Sequence, residues 1–98
     1  MIFLTVGACD LPFDRAVTAV ESLASEGVFT EEVFAQIGHS RPPTSRLPFA
    51  RFLSYEEMND RASDASLIIS QGGPGSIMLA LARGKIPIVI PRDRKSVV

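Results

Sequence analysis

Ser70-Gln71-Gly72-Gly73-Pro74-Gly75-Ser76 lies between a short apolar run, residues 66–69, and a helical pattern over residues 77–83. Three glycines and one proline at a strand-to-helix switch exceed what packing alone requires. Glycine lets backbone N–H groups approach a ligand closely. A helix N-terminus adds unpaired donors and a partial positive charge. Together these features make an anion site, most often for phosphate or diphosphate. The stretch predicts the N–H groups of Gly73, Gly75 and Ser76 as diphosphate donors, with Ser76 Oγ as a further donor. The plainer reading is a tight turn in which Ser76 opens the helix. No Gly-Lys-Ser/Thr follows, so this is not a Walker loop, and the G-x-G-x-x-G dinucleotide spacing is also absent.

Outward from this loop, strand and helix patterns alternate. Residues 2–6, Ile2-Phe3-Leu4-Thr5-Val6, form an apolar run that stops at Gly7, as a strand buried on both faces would. Phe13, Ala16, Val17, Val20, Leu23 and Ala24 recur at helical spacing, with Pro12 before them and Gly27 after. Residues 32–37 read as a second strand ended by Gly38, and residues 41–47 as a loop with adjacent prolines. Residues 49–53 suit a short third strand. Ser54 with Glu57 forms a capping box for a helix over residues 55–62. Residues 67–69 and 86–90 are the last strands, and Gly84 is placed to close the helix between them. This order predicts an α/β fold: a Rossmann-like, doubly wound parallel sheet. Ligands bind at the C-terminal edge of such a sheet. That edge would carry the loops at 7–12, 38–45, 70–76 and from Pro91 onward.

Composition bounds the function. The chain has 98 residues, 46% hydrophobic and 21% charged, and so suits one small domain. A net charge of −1 gives no electrostatic case for nucleic acid. One cysteine, Cys9, and one histidine, His39, exclude an internal disulfide and argue against a Cys- or His-based metal site. No apolar run approaches the about 20 residues of a membrane span. Met1 leads straight into the first strand without a basic leader, so the expectation is a cytoplasmic chain with no direct membrane insertion. Membrane association would come through a partner.

The other edge loops hold further candidates. Gly7 allows close backbone approach opposite the glycine loop, or it is an ordinary turn residue. Asp10 reads as a general base or a helix-start acid, and Cys9 as a small packed residue. His39, in Gln36-Ile37-Gly38-His39-Ser40, can hydrogen-bond a ligand or move a proton, or be a bystander. Arg92 and Arg94 can neutralise phosphate or form a solvated tail.

Several blocks fit one family pattern: residues 3–7, Pro12-Phe13-Asp14-Arg15, residues 33–40 and residues 52–58. Residues 72–78 and Gly84-Lys85-Ile86-Pro87-Ile88-Val89-Ile90-Pro91-Arg92 complete it. The chain resembles the C-terminal domain of glycosyltransferase family 28 over residues 2–92, in a small stand-alone form. That form is similar to the PssE/EpsF-type subunit of polysaccharide-building transferases and to the catalytic subunit of the two-part dolichol-linked N-acetylglucosaminyltransferase. The resemblance implies the donor-binding half of a GT-B hexosyltransferase. It would take a UDP-sugar, UDP-GlcNAc or another UDP-hexose, and a lipid-linked or polysaccharide acceptor. A membrane-anchored partner subunit would bind the acceptor. It implies a diphosphate held at Gly72, Gly73, Gly75 and Ser76 against Gly7, with Gln71 and His39 near the sugar or phosphates. It also implies no cofactor and no essential metal. Ala8-Cys9 stands where the family often has Thr-His, and Gln71 where it usually has His. The family's later acidic-His and Asp-Gln blocks, which help hold ribose and sugar, lie beyond Val98. The expectation is therefore a domain truncated before its last helices. The alternative is a non-catalytic module that binds a partner or nucleotide.

Overall fold

The computed structural model describes residues 1–7 and 12–90. The strands are β1 (Ile2–Thr5), β2 (Val33–Gln36), β3 (Phe49–Ala50), β4 (Leu67–Ser70) and β5 (Ile88–Val89). The helices are α1 (Asp14–Ser25), α2 (Tyr55–Asp64) and α3 (Pro74–Ala82). All strand pairs are parallel, in the order β3-β2-β1-β4-β5. The chain builds outward from β1 on one side and then crosses to build outward on the other. The topological switch point of the α/β fold therefore lies between the C-terminal ends of β1 and β4.

Period-two alternation along the central strands divides the core. Ile2, Leu4, Val6, Val33, Ala35, Ile37 and Ile69 face α1, which supplies Ala16, Val17 and Val20. Phe3 and Ile68 face the other way, onto Ala62 of α2, Ala65 and Ala80 of α3. Small alanines on these helices bring them close to the sheet. Phe3 and Ile68 are fully buried, and each such side chain contributes about 1.5–3 kcal/mol of transfer free energy. Arg61 covers this core at one side, with its guanidinium 3.8 Å from the Phe34 ring centre.

The helix ends follow from local sequence. At α2, Ser54 Oγ accepts from the Glu57 N–H and the Glu57 carboxylate accepts from the Ser54 N–H, which is the expected capping box. At α3, the N–H of Gly84 donates to Leu81 O and that of Lys85 to Ala80 O, the paired bonds of a Schellman ending. Lys85 Nζ then donates to Ala62 O and Ser63 O, tying this ending to the C-terminal end of α2.

The structure moves several boundaries. Helix α3 begins at Pro74 rather than Ile77, because proline at the first helical position loses no needed hydrogen bond. Strand β3 stops at Ala50 rather than Leu53: its neighbour β2 turns away at Gly38, leaving nothing to pair with residues 52–53. Strand β5 covers only Ile88–Val89, since Pro87 has no N–H with which to extend the ladder. No helix among the described residues is long and apolar enough to cross a membrane.

Candidate functional site

Three polar residues stand in register across the middle of the sheet: Gln36, Thr5 and Ser70, the last residues of β2, β1 and β4. All three are buried. Buried polar groups cost free energy unless they are hydrogen-bonded, and each of these is used to fix the loop above it. Thr5 Oγ1 donates to Gln36 Oε1 at 2.6 Å. The Gly7 N–H donates to Gln36 Oε1 (3.1 Å) and Thr5 Oγ1 (3.3 Å). Ser70 Oγ accepts from the Gly72 N–H at 3.1 Å. In the next loop Ser40, also buried, accepts from the Phe13 N–H at 2.8 Å and so joins the start of α1 to the same edge.

Above this row the glycine loop turns into α3. Gly72 has φ +94°, and a Cβ there would lie 3.0 Å from Val89 Cγ1. Only glycine makes this turn without strain. Gly73 is the N-cap of α3, and Gly75 and Ser76 form its first turn. Among the described residues, no hydrogen bond occupies the N–H of Gly73, Gly75 or Ser76. Among the described residues, nothing lies within 4 Å of where a Gly75 Cβ would stand. Among the described residues, no side chain covers the positive end of α3 at Gly75.

The Gln71 side chain reaches across between the two loops. Its Nε2 is 3.0 Å from the position of a Cβ on Gly7, and a Cβ on Gly73 would overlap it. Gln71 therefore brings Gly7 and Gly73 together, with Gly72 in the turn between the strand and the helix, whereas Gly75 lines a depression with Tyr55, Asn59 and Met78 on the α2–α3 side. The N–H groups of Gly7 and Gly72 point inward, to Gln36 and Ser70, and the Gln71 amide stands on the side of Gly7 that a Cβ would take. His39 is exposed and lies on the far side of Gly7 from the glycine loop, past β2. It stands edge-on to Phe52, ring centres 5.3 Å apart. Cys9, Asp10, Arg92 and Arg94 lie outside the described residues.

On the His39 side, Gly7, Gln36, Phe52, Leu53 and Met58 line a small open pocket of about 120 Å³. Sequence reasoning missed this part of the site. Gln36 was a legible signal, as a lone amide ending an apolar strand. Phe52 and Leu53 were not, because they read as strand residues. Larger depressions exist, such as one of about 230 Å³ beside Phe29 and Leu47. That one adjoins the C-terminal end of α1, where no helix N-terminus presents donors. Among the described residues there is no cluster of three or more His, Cys, Asp or Glu able to hold a metal ion.

Two α1 carboxylates hold the loop that carries His39. Asp14 Oδ1 accepts from the Arg41 N–H at 2.6 Å, and Glu21 accepts from the Ser45 N–H and from Thr44 Oγ1. The Ser45 bonds, followed by those from Thr44, hold the Glu21 carboxyl below the ordinary glutamate value.

A doubly wound parallel sheet with a glycine turn and a helix N-terminus at its switch point defines a Rossmann-like α/β domain. Comparison with known families assigns it: the model of the glycosyltransferase family 28 C-terminal domain matches residues 1–97. The chain belongs to that family, whose role is glycosyl transfer and whose domains bind nucleotide-sugar donors. Among curated proteins and among solved structures, none matches at significance.

Proposed function

We propose that this chain is the donor-binding part of a hexosyltransferase that uses a UDP-sugar, UDP-GlcNAc or another UDP-hexose. The acceptor would be lipid-linked or a polysaccharide, held by a membrane-anchored partner subunit. The observation that carries this reading is the pair of N–H groups, Gly75 and Ser76, at the N-terminus of α3, which no hydrogen bond occupies among the described residues. They suit the diphosphate, and the apolar pocket of Phe52, Leu53 and Met58 has the chemistry to receive a base.

In the reaction, an acceptor hydroxyl oxygen bonds to the anomeric carbon as that carbon's bond to the β-phosphate oxygen breaks. The nucleoside diphosphate leaves with the electron pair. The hydroxyl proton passes to a base on the acceptor side. The helix N-terminus stabilises the charge that grows on the departing diphosphate, and Gln71 can donate to it or to the sugar.

Calorimetric titration of UDP, UDP-GlcNAc and UDP-glucose against the purified chain tests the reading. Saturable binding of UDP is expected. Absence of binding at millimolar nucleotide, with and without an acceptor-side partner, overturns it.

A second reading, a partner-binding module without turnover, is favoured by the exposed apolar side chains of Tyr55, Met78, Leu81, Ile86 and Ile88. UDP release with partner and acceptor present separates the two.

A further inference from the structure

Gln36 is 3% exposed, yet every hydrogen-bonding position of its amide is used. Its Oε1 accepts from Thr5 Oγ1 (2.6 Å) and from the Gly7 N–H (3.1 Å). Its Nε2 donates to Gly7 O (3.1 Å) and to Arg51 O (2.7 Å). One side chain therefore holds Gly7 by both its N–H and its carbonyl, and the same side chain holds the end of β3. The Arg51 carbonyl also accepts from the Gly38 N–H at 2.8 Å. The Arg51 guanidinium donates back to Gly38 O (3.0 Å) and Ser40 O (3.1 Å). The next residues, Phe52 and Leu53, share a pocket wall with Gly7 and Gln36.

We infer that Gln36 is a positioning residue of the donor site: it sets the Gly7 peptide relative to the Phe52–Leu53 wall, so that one nucleotide can touch both. The inference rests on the proposed donor reading of the cleft. The residue type is decided by the partners. Two of them are donors and two are acceptors, on opposite sides, and only an amide of this length serves all four. Asparagine is one methylene short. Methionine keeps the shape and none of the bonds. Glutamate supplies acceptors to Thr5 and Gly7 but turns a negative oxygen toward the carbonyls of Gly7 and Arg51. Its protonated form restores one donor, so a Gln36→Glu site would recover as pH falls.

The test is UDP titration of the full chain as wild type, Gln36→Met, Gln36→Glu and Thr5→Val, each checked by circular dichroism, with Gly7 amide exchange followed by NMR. Gln36→Met should weaken UDP at least tenfold, and Thr5→Val severalfold. Gln36→Glu should lose at least tenfold relative to wild type near pH 7.5. It should regain at least threefold of that ratio near pH 5, a recovery that loss of packing alone would not produce. The Gly7 amide should exchange at least tenfold faster in Gln36→Met. Folded variants that match the wild type in UDP affinity at both pH values overturn the inference. So does unchanged Gly7 exchange. Should Gln36→Met fail to fold, Thr5→Val and the low-pH form of Gln36→Glu decide by the same criteria. A wild-type chain that ignores UDP instead removes the donor reading, while Gly7 exchange still reports whether Gln36 fixes the peptide.

Discussion

Gly72 and Gly75 stand three residues apart in one loop, and their glycines serve different ends. Gly72 is required by the backbone: its φ of +94° and the nearby Val89 Cγ1 leave no place for a side chain. Gly72→Ala should cost about 1–3 kcal/mol, seen as a lower melting temperature. Gly75 sits in ordinary helical backbone, and among the described residues nothing lies within 4 Å of where its Cβ would stand. Gly75→Val should leave the melting temperature nearly unchanged and reduce UDP affinity more than tenfold, since a β-branched side chain would stand where the diphosphate must approach. Calorimetry on the folded variant checks this, and undiminished affinity would remove Gly75 from the site. Both glycines were legible in the sequence as one motif. Their division of labour was not, because φ and the distance to Val89 depend on where β5 lies.

At the scale of elements, the strands and helices were largely readable from period and punctuation. The capping box at Ser54 and Glu57 was legible to the residue, since both of its bonds are local. Ser54→Ala should destabilise the chain by about 1 kcal/mol, measurable by chemical denaturation. The ends of β3, β5 and α3 were less legible. A strand's length depends on how far its neighbour runs, and β2 turns at Gly38 before residues 52–53 can pair. The gain at this level is functional: what read as the end of a strand, Phe52 and Leu53, is a pocket wall.

For the whole molecule, carboxylate contacts set the acid response, two of them between distant residues and one local. The N-terminal ammonium, then Ser66, holds Glu31 below the ordinary glutamate value of 4.5. Ser45 does the same for Glu21, and the Ser54 N–H for Glu57. Each folded pKa is depressed, so the contribution is present above the unfolded value and lost as pH falls through the folded one. The melting temperature should hold from neutrality to about pH 5 and fall below 4.5. Because Glu31 and Glu57 are solvent-exposed and Glu21 is only half-buried, each contribution is small. In Glu21→Gln the melting temperature should lie slightly below wild type at neutral pH, with the gap closing in acid. A gap that persists in acid would assign the effect to shape rather than charge. Sequence by itself determined the α/β alternation, the parallel sheet, the glycine loop at a helix start and the family resemblance. These rest on local periods, backbone preferences and ordered motifs, which a linear chain carries in full. Only the tertiary structure decided that β1 and β4 are neighbours, that Gln36, Thr5 and Ser70 form one buried polar row, and that Gln36 turns the Gly7 N–H away from the cleft. Those facts arise from register between strands distant in the chain, and no local pattern encodes which buried donor meets which acceptor.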